Sequence, residues 1–523
     1  MPPESTLNRS PSFGSHVLRF ASGSLVSKVF GYARDAAMVA FFGAGWLSDA
    51  YYAAFRVVGI FRRTVGEGSV NAAFVPALAA EKNAGRAREF FSAAWTLALG
   101  ASALLCLAAF IFRRELVLLT ARGFASDPAL LGLTVLLTAV LLPHVVLVAA
   151  SAMLQGALNA EKRFFLPQAA AASFSAAVLA YLGLAASPLG ADFTMEQKII
   201  GLAAAASASG LLQCAILLPA AARAGYLPKL SNPLSNPAAI RLLAMSLPAL
   251  LAAAQDQLSL LVNAFFASFM EAGSITAIYN AARLTQFPVS LFAAASAAVA
   301  LPSLSGGLLQ RDPDKFRSTL DSAFRLTAVI ILPATAGLLA LAMPVTRALF
   351  EHGRFTPEMS ALTAAVLTCL SVGLAGYAFN KLAASVFYAL GDLITPLWVV
   401  GLQVALNAAL CFALAPSMGA PGLTLATSIS SLAAGAGFAL LLARRVPGAF
   451  RPGFGAFLAK TLTAAAAMGL ACAGGARLMA DTPPLAAAAL LVPGGVWMYF
   501  LLLRAMGAGG ARELLGLRGR EER

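Results

Sequence analysis

The sequence predicts an all-α polytopic membrane protein of about fourteen transmembrane helices, and three observations carry that prediction. The 523-residue chain is 59% hydrophobic and only 11% charged, with a mean hydropathy of +0.80; soluble domains carry roughly 25% charged residues. Its apolar runs reach the ~20 residues that cross a bilayer as a helix. They do not alternate every second residue, as the strands of a membrane barrel do. Short polar turns separate the runs and leave no room for a sizeable soluble domain between them.

The apolar windows place spans at 16–42, 47–72, 89–112, 130–156, 164–187, 197–221, 240–270 and 273–305, then at 318–344, 358–389, 394–415, 420–443, 454–479 and 484–506. A polar tail (1–15) precedes the first and lacks the apolar centre of a signal peptide. Lys and Arg set the orientation. One side carries Arg9, Lys82, Arg86, Arg88, Lys162, Arg163, Arg223, Lys229, Arg241, Arg317, Arg444, Arg445 and Arg451, and the basic tail 508–523. The other side carries fewer, among them Arg113, Arg122 and Arg347. Both termini are therefore expected in the cytoplasm of a bacterium, with the chain in its inner membrane.

A weak internal repeat runs through the chain. FVPAL at Phe74–Leu78 resembles ALPSL at Ala300–Leu304, the loop around Gly123 resembles that around Gly353, and the segment with Pro167 resembles that with Pro396. The separations are nearly constant, at 226–230 residues. Each repeat holds six helices, an even number, so the two copies share one orientation and relate by an axis along the membrane normal. The expected organisation is an N-lobe (16–225), a C-lobe (226–445) and two further helices (446–507). The two six-helix lobes enclose a central cationic cavity, an arrangement suited to alternating access by rocking.

That cavity is inferred from charge. Lys28, Arg34, Asp35, Asp49, Arg56, Arg62, Arg63 and Glu67 lie in the first two apolar runs. Each charge at the bilayer centre costs roughly 2.5–3.5 kcal/mol even on lenient insertion scales. The excess is cationic, so the site is expected to bind an anion. Arg34, Arg62, Arg63 and Arg283 are expected to converge, with Lys28 as a further cation. Guanidinium groups stay charged when desolvated, and their planar fork suits phosphate oxygens. Arg62 and Arg63 are adjacent, so one reaches the cavity while the other pairs or snorkels. Gly31 permits a bend or close packing between Lys28 and Arg34. Asp35, Asp49 and Glu67 hold the arginines or act as gate partners. For Arg56 a structural role is expected. A second set, Asp256, Asn407 and Thr427, offers oxygens to Na⁺ or a hydrogen-bonded contact between helices; the latter is the better reading.

Other classes fit poorly. A net charge of +14 invites a nucleic-acid reading, but the basic residues sit in short loops between spans. The five cysteines and three histidines show no metal-ligand or catalytic spacing, so neither a metal nor an organic cofactor is expected. A drug antiporter would want acids and aromatics in its cavity. A membrane enzyme would need a nucleophile or acid cluster at a membrane face, and none is evident.

GYARDAAMVAFFGAGWLSDAYYAAFR, followed by FRRTVGEGSVNAAFVP, closely resembles the start of the MurJ (MviN) lipid II flippases, within the wider superfamily of drug and polysaccharide exporters. QGALNAEKRFFLP, ARLTQFPVSL, ALPSLS and LFEHGRFT match further family segments in order, over nearly the whole chain. The resemblance implies fourteen helices and outward flipping of undecaprenyl-pyrophosphoryl-disaccharide-pentapeptide, the peptidoglycan precursor. It places the family's cavity arginines on Arg34, Arg62 or Arg63, and Arg283, and its acids on Asp35, Asp49 and Glu67. The last two helices would form a groove for the lipid tail. Three departures stand out. Lys28 replaces the commoner Arg, Ala282 and Gln286 replace acids, and Cys411 stands where relatives with a Na⁺ site have an acid, which argues against sodium coupling. Membrane potential is the expected driving force. The expected partners are lipid II and membrane lipid, and the protein is expected to work as a monomer beside the cell-wall synthesis machinery. The alternative cargo is another polyprenyl-pyrophosphate-linked oligosaccharide of the O-antigen type.

Overall fold

The computed structural model describes residues 13–65, 69–242, 260–299 and 312–507, and no strand occurs among them. The first helices are α1 (Phe13–Phe42), α2 (Trp46–Val65), α3 (Ser69–Asn83), α4 (Ala87–Ile111), α5 (Arg113–Thr120) and α6 (Pro128–Leu141). There follow α7 (Pro143–Ala160), α8 (Phe165–Ala170), α9 (Ala172–Ala186) and α10 (Met195–Arg223). After a helical stretch at 260–267 come α11 (Ser274–Val299), α12 (Pro313–Phe350), α13 (Pro357–Val372) and α14 (Leu374–Ala389). The last are α15 (Ile394–Met418), α16 (Ala420–Arg445), α17 (Phe454–Leu478) and α18 (Pro484–Ala505).

Among the described residues nine helices are long and apolar enough to cross a membrane, or ten when the bent pair α13 and α14 counts as one span. Of the fourteen expected spans, the other four are the charge-bearing α1 and α2, and the runs 240–270 and 273–305, parts of which lie outside the described residues. The expected run 47–72 is two helices, α2 and α3. The run 130–156 is α6 joined to α7 at Leu142, where Pro143 cannot donate to the preceding turn. The run 358–389 is bent by 44° between α13 and α14. The run 318–344 extends to 313–350, capped by Asp312, whose side chain accepts from Lys315 N. It kinks at Leu341, ahead of Pro344.

The repeat recurs in the element boundaries. The starts of α2, α4, α6 and α8 return at the starts of α11, α12, α13 and α15 after 226–229 residues.

The chain forms two compact units, Met1–Phe42 with Trp46–Gln257, and Gly43–Gly45 with Leu258–Arg523. The core of the first gathers Phe74, Phe90, Phe91, Leu154, Leu217 and Tyr226. The second has one core around Phe316, Phe324, Val386, Phe387 and Phe438. Its other core, where α17 and α18 pack on α12, is built on Val329, Met468, Cys472 and Tyr499. There the Tyr499 hydroxyl donates to Val329 O at 3.1 Å. In this unit α14 crosses α16 closely. A Cβ on Gly376 would stand 2.8 Å from the Ser431 carbonyl, so only glycine permits the approach. Apolar side chains such as Leu104, Leu107 and Ile111 on α4, and Leu397, Trp398 and Leu402 on α15, point outward, as a hydrocarbon solvent requires.

At one end of the first unit, three basic loops meet on Glu161. Its carboxylate accepts from Lys82 Nζ at 2.6 Å and from the Tyr226 hydroxyl at 2.9 Å. The Lys82 hydrogen bond, then that of Tyr226, holds Glu161 below its ordinary 4.5. Burial, with Glu161 beside it, pushes Tyr226 up to about 12. The contribution of a carboxylate with a lowered folded pKa is present above its unfolded value and is lost as pH falls through the folded one. Glu161→Gln is therefore expected to lower thermal stability at neutral pH by about 1 kcal/mol. The variant should lose the acid-side slope that the wild type shows below pH ~4.5; unfolding in detergent followed across pH measures both.

Candidate substrate-binding site

In the first unit α1 packs along α8 and α9, and α2 packs against α6 and α7. Arg34 and Asp35 lie on the buried side of α1, at 6% and 2% exposure. The Arg34 side chain curls back on its neighbour, and its Nε and Nη2 donate to Asp35 Oδ1 at 2.9 and 2.6 Å. Its guanidinium carbon stands 4.9 Å from the centre of the Phe174 ring on α9. Phe174 lies 5.6 Å from Phe55 of α2, and the Arg62 guanidinium stands 5.8 Å from Phe55. Two membrane-embedded arginines thus rest on two rings in mutual contact. Desolvated cation–π contacts of this kind are worth about 2 kcal/mol, and a guanidinium stacked on a ring face presents its N–H donors at its edge, the geometry that suits oxyanions.

His144, at the start of α7, joins the same group with its ring 5.4 Å from Phe174, and it is 2% exposed. Spacing alone gave it no role. Neither Phe174 nor Phe55 stood out in the sequence; their signal was aromatic residues within small-residue runs, which core packing produces equally well.

Asp49 sits in the first turn of α2, at 4% exposure, where the helix dipole favours a carboxylate by about 0.3–1 kcal/mol. Lys28 is half-buried on α1, and Arg56 half-buried on α2. Gly31 has open space beside it, and α1 continues through it as one helix; the bend or close packing expected there is not what joins Lys28 to Arg34. Arg63 belongs to α2, but its side chain lies outside the described residues, as do Glu67 and Asp256.

In the second unit Arg283 lies on α11. Its Nη2 donates to the Tyr279 hydroxyl at 2.9 Å and its Nη1 to Gln286 Oε1 at 3.1 Å. The guanidinium also stands 5.2 Å from the Tyr279 ring.

Asn407 and Thr427 are brought together by Asn263, which the sequence reading did not name. Asn407 Nδ2 donates to Asn263 Oδ1 at 2.9 Å, and Asn263 Nδ2 donates to Thr427 Oγ1 at 3.0 Å. The Thr427 hydroxyl donates in turn to Leu423 O at 3.0 Å. Of the Na⁺ candidates, Asn407 and Thr427 are thus engaged in an interhelical amide–hydroxyl network, and Cys411 lies against it, its Sγ 3.9 Å from Asn407 Oδ1.

The fold defines a class: a multi-pass membrane protein with the architecture of the MOP superfamily. A solved inward-facing multidrug resistance MATE family transporter of that superfamily matches with a TM-score of 0.65 at 16% identity, over 83% of this chain and 98% of that one. A solved lipid II flippase MurJ in an inward closed conformation matches with a TM-score of 0.74 at 20% identity, over 95% of this chain and 100% of that one. The family model "Lipid II flippase MurJ" matches residues 38–485. The "Probable lipid II flippase MurJ" of Rhizobium meliloti is 32% identical over 80% of this chain and 78% of its own length. The chain belongs to the MurJ lipid II flippase family, a family of transporters.

Proposed function

We propose that this protein flips lipid II, the undecaprenyl-pyrophosphate-linked disaccharide-pentapeptide, from the cytoplasmic to the outer leaflet of the bacterial inner membrane. The observation that carries the reading is the buried Arg34–Asp35 pair held with Arg62 on the Phe174 and Phe55 rings. Arg34, Arg62, Arg63 and Arg283, with Lys28, bind the pyrophosphate, and Asp35, Asp49 and Glu67 hold or re-pair the cations as the protein changes state. The basic loops meeting at Glu161 face the cytoplasm, as do both termini. The prenyl tail runs along α17 and α18. The protein acts as a monomer beside the cell-wall synthesis machinery.

Rescue of a strain depleted of its own flippase tests the cargo. Growth restored by the wild type, with lipid II appearing in the outer leaflet, supports it. An expressed wild type that does not restore growth shifts the reading to another polyprenyl-pyrophosphate-linked oligosaccharide.

The Asn263–Asn407–Thr427 network supports a cycle without sodium, because its oxygens already accept or donate within the protein. Replacing Na⁺ by choline in proteoliposomes should leave the flipping rate within about twofold. Asn407→Ala should instead lower thermal stability by about 1 kcal/mol, since it removes the 2.9 Å hydrogen bond to the Asn263 oxygen. A sodium-dependent rate lost in Asn407→Ala would overturn the sodium-free cycle.

A further inference from the structure

Lys381 lies inside a membrane span and belongs to no site described above. It is on α14, the second limb of the bent pair α13–α14. The nearer end of the bent pair is Ala389, eight residues on, or about 12 Å at 1.5 Å per residue; half of a ~30 Å hydrocarbon core is ~15 Å. The side chain does not run toward that end. Its ammonium stands 5.5 Å from the Tyr377 ring, one turn deeper.

The outward face of α14 is unlike other outward faces of the protein. Tyr377, Lys381 and Ser385, spaced one turn apart, are exposed, while Ala378, Leu382, Val386 and Phe387 fill the core behind them. On α4 and α15 the large exposed side chains beyond the first turn are Leu, Ile, Phe, Trp and Met. A lipid-facing stripe is apolar, and charged residues within spans face water-filled passages. The α14 stripe is therefore wet.

We propose that Tyr377, Lys381 and Ser385 line a hydrated face of the second unit, and that Lys381 binds an oxyanion of the transported head group. This rests on the lipid II reading above. An ammonium over an aromatic ring is a point-charge donor suited to a phosphate or a carboxylate. The head group offers both, in its pyrophosphate and its peptide.

The test is equilibrium binding to the full-length protein in nanodiscs, with two probes, lipid II and undecaprenyl pyrophosphate, which lacks sugar and peptide. Lys381→Gln should weaken lipid II binding about tenfold, and Lys381→Arg should stay within about threefold of wild type. An equal loss for both probes assigns the contact to the pyrophosphate; a loss for lipid II alone assigns it to a peptide carboxylate. Wild-type affinity in the Gln variant for both probes overturns the inference and leaves the lipid II reading standing. So does a loss that Arg fails to restore in monodisperse protein, because packing would then be the cause. A wild type that binds neither probe overturns both.

Discussion

Arg34→Ala is expected to abolish rescue of a flippase-depleted strain, and for two separable reasons. The first is structural. The variant leaves the Asp35 carboxylate, 2% exposed, without the guanidinium that donates to it twice. Breaking a buried pair from one side costs about 3–5 kcal/mol, so membrane levels should fall. The second is functional, since the cation resting on Phe174 is gone. The double variant Arg34→Ala with Asp35→Asn separates the two. Removing both charges should restore much of the folded protein, because no buried carboxylate remains, yet transport should stay lost. Arg34→Lys should fold and transport weakly, since an ammonium keeps the charge but not the fork. Immunoblots of membranes, read beside outer-leaflet lipid II, report both quantities. Growth restored by the double variant would make Arg34 a structural residue.

The second large effect is expected from the membrane potential. A pyrophosphate diester carries two negative charges, and outward movement in an inside-negative field gains about 2.3 kcal/mol per charge per 100 mV. Two charges across 100 mV give ~4.6 kcal/mol, roughly three orders of magnitude in a population ratio. On the proposed reading the empty cationic site is drawn inward by the same field, so both half-cycles draw on one source. Clamping the potential at zero in proteoliposomes, with the Na⁺ and H⁺ gradients kept, should stall accumulation of lipid II in the far leaflet. Continued accumulation would assign the driving force to an ion.

Much of the architecture was legible because bilayer physics acts on composition. Span lengths, the repeat and the cationic residues follow from hydropathy, spacing and the cost of charge. The helix count was less so. Spans 16–42 and 47–72 carry several charges, which erode the hydropathy that would mark them. Breaks at Leu142 and Gly373 fall within continuous apolar runs, where hydropathy does not register them. Arg34 beside Asp35 suggested an ion pair at once. The Phe174 ring beneath Arg34 is 140 positions away, and no local pattern links the two.

By itself the sequence determined a polytopic membrane protein, its repeat of 226–230 residues and an excess of arginine in its first spans, because the cost of charge in a bilayer makes such residues stand out. Tertiary structure alone decided which groups surround each charge. It seated Arg34 and Arg62 on Phe174 and Phe55, brought His144 to the same ring, inserted Asn263 between Asn407 and Thr427, and turned Lys381 onto Tyr377. The physical reason is reach. A helix brings together only residues three or four apart. Every one of these contacts except Arg62 on Phe55 and Lys381 on Tyr377 joins different helices, so helix packing selects the partner.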